Sequence, residues 1–193
     1  MKSEYRSYLE ENAEVLAPLE AMVTDLKEGS RVLCLGPFGL IPSVVIKDMR
    51  RDAEVEVLSL DEEVNRDFRE NTDPEGLIKL ISSIQGEYDF IFAFLYLNTI
   101  KRSDAVPFLF SIFDALAEGG KFYLVFPDAL MSNGLEGCEC EAFYNKSEII
   151  FQKLYALHDV VHSLSLIGFQ ILSVEEVDLT GFDHASAVLV QKK

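Results

Sequence analysis

Apolar residues recur at helical spacing from Tyr5 to Leu26: Tyr5, Tyr8, Leu9, Val15, Leu16, Leu19, Met22, Val23 and Leu26. This predicts an N-terminal helical cover over residues 1–28. Pro18 interrupts the pattern and starts a second helix, where its missing N–H is no loss. Gly29 closes the helical region. Arg31 to Gly36 (RVLCLG) is nearly continuous in apolar residues, as a strand covered on both faces requires. Leu40 to Arg50 returns to a helical period. Val55 to Leu60 reads as a second strand, closed by Asp61. Residues 62–70 form a polar helix and 74–84 another. Asp89 to Leu97 (DFIFAFLYL) is the most apolar run and predicts a central strand. Ser103 is placed to N-cap a helix that runs through Ala117, with Pro107 in its first turns. Gly119 and Gly120 stop it, and Lys121 to Phe126 is the next strand. Residues 128–147 are irregular and polar, long enough for a lid. Glu148 to Ile167 predicts one long helix, stopped by Gly168. Phe169 to Val177 and Ala185 to Gln191 are two strands joined by a short link around Gly181.

Strands alternating with helices imply a mostly parallel sheet with helices on both faces. The last two strands are joined too closely for a crossover, so one of them enters antiparallel. The expected fold is a three-layer, Rossmann-like α/β domain over residues 1–193. The sequence carries no internal repeat and no second-domain boundary.

Composition narrows the partners. The chain has 193 residues with 17 Lys and Arg against 33 Asp and Glu, a net charge of −16. Such a field repels phosphate backbones and anionic lipid surfaces. The densest basic cluster, Lys47, Arg50 and Arg51, reads as an exposed helix end. The acidic balance favours a small-molecule or protein partner, and the expectation is a small-molecule substrate, with no nucleic acid and no membrane. Three cysteines do not make a disulfide framework, and the polar N-terminus lacks the apolar segment of a signal peptide. Both point to the cytoplasm.

In an open parallel sheet, ligands bind beyond the carboxyl ends of the strands. The first strand runs into Gly36-Pro37-Phe38-Gly39, whose glycines let backbone approach a ligand and turn sharply. The second ends at Asp61, where a carboxylate can accept both hydrogen bonds of a ribose diol. A glycine turn after strand one and an acid after strand two together mark an adenosine pocket. Each also has a plainer reading: the glycines as a strand-to-helix turn, Asp61 as a helix N-cap.

These segments resemble the class I S-adenosylmethionine-dependent methyltransferases. The resemblance spans about Arg31 to Lys193: VLCLGPFGL for the glycine loop, LSLDEE for the ribose acid, YDFIFAFLYLNTI, LAEGGKFYLVFPD, and GFQILSVEEV followed by SAVLVQKK. It implies S-adenosylmethionine as cofactor. Gly36, Pro37, Phe38 and Gly39 would line its methionine and ribose part, and Asp61, with Glu62 adjacent, would hold the ribose hydroxyls. Asp73 would contact the adenine amino group, and Phe94, Leu95 and Tyr96 would lie under the sulfonium. The family usually has an acid where Cys34 stands and glycines where Phe38 and Leu40 stand. Those departures favour a second reading: a catalytically silent domain that binds a nucleotide-like metabolite or a protein partner. A nicotinamide enzyme is disfavoured by the terminal strand pair and the absence of G-x-G-x-x-G.

Tyr96, Asn98, Asp128, Asn133, Asp183 and His184 share the ligand-binding end of the sheet. Asp183 and His184 are the candidate general base for a hydroxyl acceptor, with loop capping by His184 the plainer reading. No Asn-Pro-Pro-Tyr-type stretch follows the central strand, which favours a small-molecule acceptor over a nucleobase. His158 and His162 share a helical face at i and i+4, but no third ligand has recognisable spacing, so no metal site is assigned. Cys138 and Cys140 read as a surface loop. Phe108, Phe110 and Phe113 read as core and interface, and a homodimer through this helix or the N-terminal helices would show as an exposed apolar patch.

Overall fold

A computed structural model describes residues 19, 22–35, 40–58, 86–97, 102–128, 139–144, 148–153, 155–179 and 182–193. The elements are β1 (Arg31–Leu35), α1 (Leu40–Met49), β2 (Glu54–Leu58), β3 (Tyr88–Phe94), α2 (Arg102–Ala115), β4 (Leu116–Pro127), β5 (Glu139–Tyr144), β6 (Glu148–Lys153), α3 (Leu157–Ile167), β7 (Phe169–Leu179) and β8 (Phe182–Lys192). Six strands form one sheet in the order β2-β1-β3-β4-β8-β7. The first four are parallel, and β8 runs antiparallel to both β4 and β7.

Side chains alternate across the strands and so feed two cores. Leu33, Ile91, Leu124 and Val188 face α2 and α3, meeting Phe108, Ile112 and Leu164. Val32, Phe92, Val125 and Ala187 face the other way, toward Leu19, Met22, Val23 and Ile46 of α1. Right-handed crossovers explain the division. The chain steps from β1 to β2 in one direction and from β3 to β4 in the other, so α1 and α2 land on opposite faces.

Several boundaries differ from the sequence expectation. The helix expected over 148–167 is a strand, β6, followed by the shorter α3. Ile149, Ile150 and Phe151 are β-branched or aromatic, and they pair with β5 in an antiparallel hairpin. Residues 128–147, expected to be irregular, contain β5. Helix α2 starts one residue before Ser103, which therefore does not cap it, and ends at Ala115. Gly119 and Gly120 lie inside β4 rather than before it. Gly168 does end α3, with φ 117° and its N–H directed to the Leu164 and Ser165 carbonyls. The helices expected over 62–70 and 74–84, and most of the N-terminal cover, lie outside the described residues.

At the amino end of the sheet, Arg31 holds a charged network. Its guanidinium bonds Glu56 at 2.9 Å and Glu87, and stands 4.9 Å from the Tyr88 ring. The Tyr88 hydroxyl donates to Glu56 at 2.6 Å. Burial pulls the Glu56 carboxyl upward, but the bonds from Tyr88 and Arg31 together hold it below its ordinary value of 4.5. A depressed carboxyl stabilises the fold above its unfolded value, and that gain is lost as pH falls through the folded one. Tyr88→Phe is therefore expected to be less stable than the parent by about 1 kcal/mol at neutral pH. The gap should narrow in urea titrations carried down through pH 4.5, the ordinary carboxyl value. A gap independent of pH would mean that Glu56 is not the linked group.

In the second core, Tyr123 is 1% exposed and its ring lies 5.5 Å from Phe92. Its hydroxyl is buried without a hydrogen-bond partner among the described residues. Such a group carries its desolvation cost uncompensated. Tyr123→Phe is expected to stabilise the fold by about 1 kcal/mol, raising Tm by about 2–4 °C in a scanning calorimeter. A fall in Tm would reveal a partner for the hydroxyl.

Candidate active site

The strand order turns at β1. The chain places β2 on one side of it and β3 on the other, and α1 and α2 diverge to opposite faces. In open sheets of this kind the ligand crevice lies at such a switch point, here the carboxyl ends of β1 and β3. Three of the sequence candidates, Phe94, Leu95 and Tyr96, come to that place. Gly36 to Gly39 follow β1 directly, and Asp61 and Glu62 follow β2 with Asp73 beyond. The placement of all seven lies outside the described residues.

The end of β3 is apolar and unusual in backbone. Phe94, Leu95 and Tyr96 are buried, and Leu95 has φ 55°, the one positive value among the described non-glycine residues. A branched side chain in this region costs about 1–2 kcal/mol and persists only where its surroundings fix it. The Leu95 N–H donates to the Val125 carbonyl at 3.0 Å, which ties the turn to β4. The turn also breaks strand alternation. Phe94 and Leu95 both pack into the core under α1, while Tyr96 and Leu97 pack into the core under α2. The Tyr96 ring lies 5.0 Å from Phe108, and burial pushes its phenol up. This end of β3 can supply a dry floor under a ligand and carries no charge of its own.

Cys34 lies one residue before the end of β1. It is a free cysteine, fully buried, and burial pushes its thiol up, so it is neutral. Its side chain belongs to the core under α1 and lends no charge to the crevice.

The carboxyl end of β4 supplies a polar pair. Asp128 is 6% exposed and Ser186 4%, and the Ser186 hydroxyl donates to Asp128 Oδ2 at 3.3 Å. The ladder between β4 and β8 ends at Pro127 opposite Ala185. Asp128 and His184 are the next residues along the two strands, and Asp183 precedes His184 in β8. The backbone thus brings Tyr96, Asp128, Asp183 and His184 to one end of the sheet, while Asn98 and Asn133 lie outside the described residues. Sequence reasoning missed Ser186. The signal was a serine at an inward position of a strand whose next inward residues are Val188 and Val190.

The histidine pair does not join this site. His158 and His162 are exposed on α3, and His158 Nε2 lies 3.0 Å from Asp159 Oδ1. Among the described residues, no three His, Cys, Asp or Glu side chains are grouped to hold a metal ion.

A mostly parallel sheet that closes with an antiparallel strand slotted beside its fourth member defines the Rossmann-like methyltransferase architecture, and this chain has that fold. The particular likenesses are to solved structures. A putative S-adenosylmethionine-dependent methyltransferase from Listeria monocytogenes is 18% identical, with TM-score 0.64, over 91% of this chain and 96% of that one. A SAM-dependent methyltransferase from Methanosarcina mazei is 15% identical, with TM-score 0.66, over 89% and 96%. A Burkholderia thailandensis N1-methyltransferase, solved with 1,6-didemethyltoxoflavin and S-adenosylhomocysteine, is 15% identical, with TM-score 0.58, over 99% and 86%. No protein-family model and no curated protein matches the chain.

Proposed function

We propose that this protein transfers a methyl group from S-adenosylmethionine to a small molecule. The observation that carries the reading is a sheet of methyltransferase order whose switch point, at the carboxyl ends of β1 and β3, adjoins the strained, apolar Phe94–Tyr96 turn. When bound, the cofactor supplies an electrophilic methyl on a sulfonium. The chain's own part is positioning, which can account for most of the rate enhancement in a displacement of this kind. Gly36, Pro37, Phe38 and Gly39 line the methionine and ribose part. Asp61, beside Glu62, accepts from the ribose hydroxyls, and Asp73 meets the adenine amino group. Phe94, Leu95 and Tyr96 exclude water beneath the reacting end. Asp183 or His184 takes the proton if the acceptor is a hydroxyl.

The same reading places the protein in the cytoplasm, where the thiol of Cys34 stays reduced. Among the described residues, no helix is long and apolar enough to cross a membrane. Val106 and Phe110 are exposed one turn apart on α2 and form the surface through which two copies would pair.

One observation favours a second reading, a silent binding domain. The site where the related enzymes carry an acid holds Cys34, neutral and sealed in the core. Calorimetric titration with S-adenosylmethionine and S-adenosylhomocysteine tests the cofactor pocket on which the first reading depends. Micromolar binding, weakened more than about tenfold by Asp61→Ala, a loss of about 1.4 kcal/mol, is the expected result. No heat at millimolar ligand would leave the silent domain standing.

A further inference from the structure

Strand β7 is the last member of the six-stranded sheet, and among the described residues no strand or bridge joins its outer edge. It is 11 residues long and fixed near both ends, by Phe169 in the core under α2 and α3 and by Val177 in the core under α1. Between these anchors it is open to solvent. Leu172 is 40% exposed and Val174 42%, and Gln170, Glu175 and Glu176 are exposed with them. Pairing with β8 slips between Ile171 and Ser173 and again between Val177 and Leu179, which leaves 173–177 as a regular run. Proteins commonly blunt such an edge with lysine or proline. Strand β7 has no Lys, Arg or Pro; its charges are Glu175, Glu176 and Asp178, all exposed.

We propose that the outer edge of β7 is a docking site for an extended, basic segment of a partner protein, which adds to the sheet as a further strand. In such an addition the main chain supplies the pairing, and alternate side chains choose the partner. Apolar side chains of the incoming strand cover Leu172 and Val174, and its lysines or arginines stand beside Glu175 and Asp178. A second copy of this chain is the poorer occupant. It brings the same acids to the seam, and each copy carries a net charge of −16, so like charges meet. The same field draws a cationic segment in. Docking here is independent of methyl transfer, since β7 holds none of the residues assigned to the cofactor or to proton transfer.

The test uses the full chain and three fluorescent eight-residue peptides at physiological salt. One alternates lysine and valine, the second is the same sequence with every amide N-methylated, and the third alternates glutamate and valine. Anisotropy gives affinity, and amide hydrogen exchange followed by NMR gives the place. The lysine peptide is expected to bind with micromolar Kd and to protect amides of β7. Its N-methylated form should bind at least about tenfold more weakly, since it keeps the charge but loses the main-chain donors. The glutamate peptide should not bind. Glu175→Lys combined with Asp178→Lys, with Tm as the check on folding, should weaken the lysine peptide at least about tenfold and admit the glutamate one. Equal binding of the lysine peptide and its N-methylated form overturns the proposal without recourse to any variant. So does an absence of binding at millimolar peptide, protection confined to amides outside β7, or undiminished binding to the folded double variant. Protection of β7 that grows with protein concentration in the absence of peptide gives the edge to a second copy and overturns the basic partner.

Discussion

Gly120→Ala is expected to destabilise the protein by about 3 kcal/mol or more, by steric overlap with backbone. A Cβ at Gly120 would stand 2.8 Å from the Ala117 carbonyl oxygen and 2.9 Å from that of Tyr88. Neither atom can swing aside as a side chain would. The position is also where the pairing of β3 with β4 slips: Tyr88 pairs with Leu116, but Phe90 pairs with Lys121. Two steps along β3 thus match five along β4, and Gly120 lies in the extra segment. Gly119→Ala is the built-in comparison. A Cβ there meets only Gln191 Nε2, at 3.8 Å, so its burden is the positive φ of 76°, worth about 1–2 kcal/mol. In equilibrium urea unfolding the Gly120 variant should lose clearly more stability than the Gly119 variant. The reverse ranking would show that β4 relaxes around the added methyl.

Leu95 offers the second large effect. Leu95→Ala removes a side chain that is 2% exposed and should cost about 2–4 kcal/mol. Leu95→Gly removes the Cβ as well but releases the strain at φ 55°, worth about 1–2 kcal/mol. Glycine is ordinarily worse than alanine in a strand by about 0.5–1 kcal/mol. Here the order should invert, with the glycine variant equal to or more stable than the alanine one. The same pair of variants bears on the site. If the turn is held for ligand contact, both should weaken S-adenosylhomocysteine binding, and the glycine variant more than its stability suggests, because it loses a fixed backbone. Glycine falling below alanine in stability would mean that Leu95 is not strained in solution.

Why the sequence foretold some of this and not the rest follows from what each signal depends on. The strands β1, β3 and β4 were legible because burial on both faces leaves unbroken apolar runs such as FIFAFLYL. The antiparallel end was legible from connection length alone. Strand β6 was not, because Ile150, Leu154, Leu157 and Val161 also fit a helical period, and only pairing with β5 decides between the two. The extension of β4 back through Gly119 and Gly120 was hidden for a similar reason, since paired glycines ordinarily end elements. Of the site, the candidates Phe94, Leu95 and Tyr96 follow from the apolar run of β3, but the positive φ of Leu95 leaves no trace in residue identity. The bond between Asp128 and Ser186 joins residues 58 apart in sequence, and its existence depends on the register of β4 against β8.

That register also has a history within each molecule as it is made. Strand β8 is last of the six in sequence, yet it sits between β4 and β7. While the ribosome is still adding residues 182–192, the nascent sheet ends at β4 with a row of unpaired amides and carbonyls, and β7 has no neighbour to join. Long-range pairings of this sort form slowly, and open edges in the interval invite association with other chains. Completion of this fold therefore falls to its final strand, and the cell must keep the unfinished sheet apart from its neighbours until that strand arrives.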